Sequence, residues 1–269
     1  MSNCNHDCEN CGVNCGERRT SSEKFTANGN IRNVIGIVSG KGGVGKSLVT
    51  GLLASELRRR GFRSSILDAD ITGPSIPKMF GIHEKVLSDG NSIMPAISKN
   101  GTKIISMNLC LQNENDPVVW RGPVISGVIK QFWEDVNWGD TDYMFVDMPP
   151  GTGDVPLTVF QSLPVKGIVI VTTPQELVGM IVNKAVKMAE LMNIPVLGIV
   201  ENMSYFECPD CGKKHYIFGE SHIDDIAKSF NIKAVSKIPF ITGLSELCDK
   251  GMIEEFNFGN VLKEVIENL

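Results

Sequence analysis

No apolar run in the 269-residue chain reaches the ~18 residues that a membrane-spanning helix needs, so no span is expected. Positive charge is also in short supply. The 26 Lys and Arg stand against 31 Asp and Glu, a formal net charge of −5, which does not suit a protein that grips nucleic acid through bulk charge. There is no internal repeat and no long low-complexity tract. The length suits one sizeable α/β domain or two small ones. A chain of this size buries about 75% of its unfolded surface and needs no disulfide to hold its core. The first sixteen residues are polar and Cys-rich, without the apolar segment of a signal peptide. A reducing, cytoplasmic compartment is therefore expected. There the eight cysteines read as metal or redox ligands before disulfides.

Those cysteines are unevenly placed. Cys4, Cys8, Cys11 and Cys15 crowd the N-terminus, Cys208 and Cys211 form a close pair, and Cys110 and Cys248 stand alone. Residues 1–30 carry almost no apolar side chains and cannot build a core. They read as a tail unless a metal orders them, with the folded domain at 31–269.

From Ile31 onward, strands alternate with helices. Val34–Val38 is a β-branched apolar run, read as a buried strand. Ser47–Arg60 spaces Leu48, Leu52, Leu53 and Leu57 as a helix does, and Gly61 ends it. Strands are predicted at Ser64–Leu67, Lys103–Met107, Tyr143–Val146, Gly167–Val171 and Val196–Val200, and helices at Val124–Trp133 and Gln175–Met192. Ile223–Phe230, Ala234–Ile238 and Ile253–Ile266 complete the pattern. The expected fold class is α/β: three layers, a mostly parallel sheet with helices on both faces, and ligands at the carboxyl ends of the strands.

Gly40-Lys41-Gly42-Gly43-Val44-Gly45-Lys46-Ser47 matches G-x-x-x-x-G-K-[S/T], after a predicted strand and at the start of a predicted helix. Glycines let the backbone curl so that N–H groups point at phosphate oxygens, and the helix N-terminus adds its positive end. Lys46 is suited to the β- and γ-phosphates and the Ser47 hydroxyl to Mg²⁺, with Leu48 following in the first helical turn. A second lysine, Lys41, is either a solvated loop charge or a group that reaches a nucleotide held by a second subunit, as an arginine finger does. Asp147 ends a strand and is placed to hold Mg²⁺ through water, while Gly151 lets its loop approach the γ-phosphate. Asp68 and Asp70 follow another strand, and one of them is placed to orient the attacking water. Loop solvation or helix capping is the plainer reading of Asp68, Asp70 and Asp154.

Cys208-Pro209-Asp210-Cys211-Gly212 favours a tight turn that aims two sulfurs at one point. Two thiolates complete neither a tetrahedral Zn²⁺ site nor a four-iron cluster. A two-fold related copy supplies the missing pair, which favours a homodimer with a bridging, labile cluster. Structural zinc, with His215 as an extra ligand, and a redox-active dithiol are the alternatives. The N-terminal four, spaced C-x3-C-x2-C-x3-C, suffice for a [4Fe–4S] cluster within one chain, with zinc or a thiol-rich tail as alternatives. Cys110 and Cys248 read as small buried hydrophobes.

The Lys41-bearing loop resembles the deviant Walker A motif of the MinD/ParA/nitrogenase-iron-protein class of ATPases. Four segments are further similar to the Mrp/ApbC family of iron–sulfur carrier ATPases. They are Leu67–Ser75, Val119–Pro123, Asp147–Asp154, and Glu201-Asn202-Met203-Ser204 leading to Cys208–Gly212. The resemblance covers about residues 31–269. It implies a homodimer with ATP at the interface, Lys41 acting across it, Asp70 orienting water, and Asn202 and the Pro239-Phe240 loop contacting adenine. Apo iron–sulfur proteins are the implied recipients. The four-Cys segment resembles that of eukaryotic scaffold ATPases of the family, whose spacing is wider.

Two rival functions remain from the sequence. A MinD- or ParA-like positioning ATPase needs a basic membrane helix or a basic DNA face. Residues 252–269 instead hold four glutamates against the single Lys263, so neither a membrane nor nucleic acid is the expected partner. A zinc-stabilised nucleotide switch differs from a cluster carrier in the metal bound.

Overall fold

The computed structural model describes residues 26–70, 75–88, 90, 92–110, 122–151, 153–175, 178–257 and 259–269, without the side chains of residues 122, 123 and 154. Cys4, Cys8, Cys11 and Cys15, residues 71–74, residues 119–121 and Thr152 lie outside them.

The chain opens with β1 (Gly29–Val38), α1 (Lys46–Arg59), β2 (Ser64–Asp68) and the single turn α2 (Ile76–Met79). A short hairpin of β3 (Leu87–Ser88) and β4 (Ile93–Met94) precedes β5 (Ala96–Ile97) and β6 (Lys103–Ser106). Next come α3 (Gly122–Asp135), β7 (Gly139–Asp147), α4 (Asp154–Ser162), β8 (Val165–Thr172), α5 (Val178–Leu191) and β9 (Val196–Glu201). A second hairpin, β10 (Phe206–Glu207) and β11 (Lys214–His215), is followed by α6 (Ile223–Ser229), β12 (Val235–Lys237), α7 (Leu244–Asp249) and α8 (Lys263–Glu267).

Eight strands form one sheet in the order β12-β9-β8-β1-β7-β2-β6-β5, parallel except for β5, which runs antiparallel to β6 at the edge. The strands are apolar on both faces, as parallel strands covered by helices must be. Side chains alternate between two cores. Val34 and Val38 of β1 and Ile168 and Ile170 of β8 join Ile129, Phe132, Val159, Val182 and Ile223 of α3, α4, α5 and α6. Ile35 and Ile37, with Val169 and Val171, join Leu52, Leu53, Ile76, Leu244 and Val265 of α1, α2, α7 and α8. The expected three-layer α/β fold is the one formed.

Three local readings differ. The stretch 253–266 is not one element: a 3₁₀ turn at Ile253–Glu255 is separated from α8 by Asn257 and by Gly259 at φ 57°, a backbone that a helix does not accept. Helix α5 starts at Val178, leaving Gln175 in the preceding loop. Helix α4 escaped the periodicity because it is short and carries Pro156, which its first turn tolerates.

Candidate functional site

The site is built at the carboxyl ends of the central strands. β1 is flanked by β7 and β8, and the chain leaves it through Ser39–Gly45 into α1. The loop is pinned from three sides. The Gly151 amide donates to the Ser39 carbonyl (2.8 Å). Ser39 Oγ donates to the Lys41 carbonyl (3.0 Å), and Asn202 Nδ2 to the Val44 carbonyl (2.9 Å). Gly45, at φ 83°, fits only as glycine: a Cβ there would stand 2.2 Å from Asn202 Nδ2.

Parallel register brings the carboxylates together. Asp68 of β2 pairs with Asp147 of β7, so two strand-ending carboxylates lie side by side. Asp147 is fully buried and accepts three hydrogen bonds: from Lys46 Nζ (2.8 Å) and Thr50 Oγ1 (2.9 Å) at Oδ1, and from Ser47 Oγ (2.5 Å) at Oδ2. Lys46 Nζ also lies 3.4 Å from Asp70 Oδ2. Asp68, buried too, accepts from Ser106 Oγ (2.9 Å) and from the Asp70 amide (3.2 Å).

Burial with a like-charged neighbour shapes the electrostatics. Desolvation, followed by the charge of Asp147, holds the Asp68 carboxyl well above the usual range. Desolvation also raises Asp147, but Lys46, Ser47 and Thr50 pull it back. Asp147 is thus the better placed of the two to stay ionised beside Lys46, and Asp68 to keep a proton.

The sequence-predicted residues Lys46, Ser47, Asp68, Asp70, Asp147 and Gly151 therefore converge. Ser47 and Asp147 offer hard oxygen donors in contact, a set that fits Mg²⁺ with Ser47 as direct ligand and Asp147 behind it. Lys41 points elsewhere: its Nζ donates to Gln175 Oε1. Thr50 was missed. Its signal, a threonine one turn after Ser47, looks in sequence like any helical threonine.

Beside α1 lies a cleft of about 440 Å³ lined by Leu48, Asn202, Met203, Pro239, Phe240 and Cys248, which gathers the expected adenine contacts. The Asn202 side chain is committed on both ends there, since its Oδ1 accepts from the Met203 amide (3.0 Å).

Four residues beyond Ser204, the chain reaches the cysteine pair. β10 and β11 pair Phe206 with His215, and the turn between them closes through Cys208 N to Lys213 O (3.0 Å) and Gly212 N to Cys208 O (2.9 Å). Gly212 takes φ 68°. The backbone amides of Cys211 and Asp210 and the Cys211 thiol bond the Cys208 sulfur and hold its pKa below the usual thiol value. Among the described residues, no three His, Cys, Asp or Glu gather where they could hold a metal ion, and His215 is not brought together with Cys208 and Cys211 in such a group. The two single cysteines depart from the buried reading. Cys248 is half-buried in the cleft wall. Cys110 is exposed, although its thiol turns back to the Ser106 carbonyl (3.8 Å) and burial of the sulfur pushes it up to about 11.

The chain is similar to known proteins over most of its length. The iron-sulfur cluster carrier protein of Clostridium perfringens is 47% identical over 246 residues, 88% of this chain and 86% of that one. Its namesake in Methanocaldococcus jannaschii is 43% identical over 250 residues, 89% of this chain and 86% of that one. The solved nucleotide-binding protein of Archaeoglobus fulgidus, in complex with ADP and with Co found, superposes with a TM-score of 0.77 at 44% identity, covering 84% of this chain and 89% of its own. The Aquifex aeolicus MinC:MinD complex, at 20% identity and a TM-score of 0.62, covering 87% of this chain and 94% of its own, shares the fold alone. The family profile described as ParA, NUBPL iron-transfer P-loop NTPase, matches residues 30–269. With relatives this similar over most of its length, the chain belongs to the ParA family of NUBPL iron-transfer P-loop NTPases.

Proposed function

We propose that the chain is an ATP-dependent carrier that binds a labile [4Fe–4S] cluster as cargo between two copies of itself and passes it to apo iron–sulfur proteins. The observation that carries this reading is the Cys208–Cys211 turn, with Cys208 held towards its thiolate form and no third ligand beside it among the described residues. Two sulfurs per chain are half of a four-thiolate site, and a two-fold copy brings the other half. A site shared between chains and open to solvent suits cargo that must leave.

In this reading the folded unit is 31–269, and residues 1–30 hold a second cluster, or zinc, on Cys4, Cys8, Cys11 and Cys15. ATP lies over Gly40–Leu48. Lys46 neutralises charge on its terminal phosphates, and the Gly42, Gly43, Val44 and Gly45 amides cradle them. Mg²⁺, held by Ser47 with Asp147 behind it, supplies electrostatic stabilisation of the developing phosphate charge. Asp70, beside Lys46, orients the attacking water, and Asp68 stays neutral next to Asp147. Lys41 leaves Gln175 to reach the nucleotide of the partner subunit. Leu48, Asn202 and Pro239 frame the adenine.

The test is anaerobic reconstitution of the full chain, with iron, sulfide and zinc quantified for wild type and a Cys208→Ala/Cys211→Ala variant. The expected result is about four irons per dimer beyond those held by the N-terminal cysteines, lost in the variant. A variant that keeps the same iron and sulfide, or a wild type that holds stoichiometric zinc at the pair, overturns the reading. The positioning-ATPase alternative draws on fold likeness alone.

A further inference from the structure

Between the phosphate loop and the cysteine hairpin lies a buried carboxylate that the hydrolytic site does not use. Glu201, 1% exposed, ends β9. Its Oε2 accepts from Ser204 Oγ (2.5 Å), while its Oε1 is buried with no hydrogen-bond partner. Thr172 Oγ1, also buried, has none either. The two residues are register partners on adjacent parallel strands. Ile170 and Ile199, two residues before each, enter the same core, so Thr172 and Glu201 turn to the same face of the sheet. A free acceptor and a free donor thus sit on neighbouring strands about 4.8 Å apart. Leaving such groups buried and unmade is costly. Held by Ser204, the carboxylate does not meet the Thr172 hydroxyl, so a bond between them requires the carboxylate to move away from Ser204.

What Glu201 holds makes that arrangement matter. The next residue, Asn202, grips the Val44 carbonyl of the phosphate loop. Met203 sits at φ 55°, a strained backbone for a side chain of its size. The Ser204 amide donates to the Ile238 carbonyl (2.9 Å) and the Phe240 amide to the Tyr205 carbonyl (2.6 Å), one residue before β10. The turn 201–204 is thus a strut with the phosphate loop at one end and the cysteine hairpin at the other.

We propose that Glu201 is a two-position relay. In one state its carboxylate is held by Ser204, as seen here. In the other it takes the Thr172 hydroxyl and releases Ser204, and nucleotide favours that second state through Asn202. The hairpin that begins at Tyr205 then moves, and with it the access to Cys208 and Cys211. Glu201, Ser204 and Thr172 are positioning residues in this scheme. The inference rests on the carrier reading only in taking the cysteine pair as the end that nucleotide acts upon.

The test needs no iron. The full chain, reduced and anaerobic, is alkylated with iodoacetamide with and without Mg-ADP or a non-hydrolysable ATP analogue, and modification of Cys208 and Cys211 is timed by peptide mass spectrometry. Wild type is expected to change its rate about fivefold or more on binding nucleotide, the lower end of ordinary coupling between sites. Thr172→Val removes a hydroxyl that bonds nothing in this structure, so fold and nucleotide affinity should hold while the nucleotide effect shrinks towards none. Ser204→Ala frees Glu201 for Thr172 and should bring the nucleotide-bound rate without nucleotide. A merely structural role does not move the two variants in opposite directions. The proposal is overturned by a wild type whose rate ignores nucleotide, by Thr172→Val with the full effect, or by Ser204→Ala with the wild-type unbound rate. Failure to load a cluster leaves this experiment intact, so the two readings fail separately.

Discussion

Thr50→Val isolates what holds Asp147 in place. Thr50 is fully buried in the second turn of α1, and its hydroxyl lies 2.9 Å from Asp147 Oδ1 and 3.0 Å from the Lys46 carbonyl. Valine keeps the shape and the β-branch, so cavity terms are small, and the loss is one hydrogen bond to a buried carboxylate. Hydrogen bonds to charged groups contribute about 1.5–3 kcal/mol, and here Asp147 Oδ1 keeps only Lys46. A loss of about 2 kcal/mol lowers the melting temperature of a domain this large by about 4–8 °C. The control is Ser55→Ala in the same helix. Ser55 is buried and its hydroxyl makes the same i−4 bond, to the Gly51 carbonyl (2.8 Å), with no carboxylate in reach. Its removal is expected to cost about 1 kcal/mol or less. Thermal melts of the nucleotide-free full chain by circular dichroism read both. Equal shifts for the two variants would refute the claim that the Thr50–Asp147 bond carries the difference.

Asp68 predicts a pH dependence. Its folded pKa is raised, so between the unfolded carboxylate value near ~4 and the folded value the native state binds the extra proton, and stability falls as pH rises through that window. Asp68→Asn should flatten that fall and raise the melting temperature at neutral pH; a steeper fall in a melt series against pH contradicts the assignment. Gly45→Ala combines a φ of 83° with a Cβ 2.2 Å from Asn202 Nδ2, so it should destabilise by more than ~1 kcal/mol and weaken nucleotide binding, read by denaturant melts and calorimetric titration. Lys41→Ala should leave nucleotide affinity intact and slow turnover at saturating ATP; unchanged turnover removes the role across the interface.

Much of the fold and of the site is legible in local spacing. The Gly40–Ser47 loop is legible because its chemistry resides in consecutive residues, and the apolar runs at 34–38, 167–171 and 196–200 declare a buried parallel sheet. The cysteine pair is legible for the same reason, since Cys208 and Cys211 need only a turn between them to share a ligand. Residues that act through contacts distant in sequence are another matter. That Asp68 and Asp147 become neighbours with unequal affinities for a proton follows from strand register and from which of them meets Lys46. Thr50 gains its role only when α1 is laid against β7. Asn202 gains its hold on Val44 when β9 ends beside the phosphate loop. The break at Gly259 shows the limit from the other side: a helical apolar pattern over 253–266 yields where the backbone takes a positive φ. Composition and motif declared a phosphate-loop pattern on a three-layer sheet and cysteines in sets of four and two. Packing decided which carboxylate holds a proton more tightly, where Lys41 rests, and that the turn after β9 links the phosphate loop to the cysteine hairpin, because only folding sets the distances on which desolvation and hydrogen bonding depend.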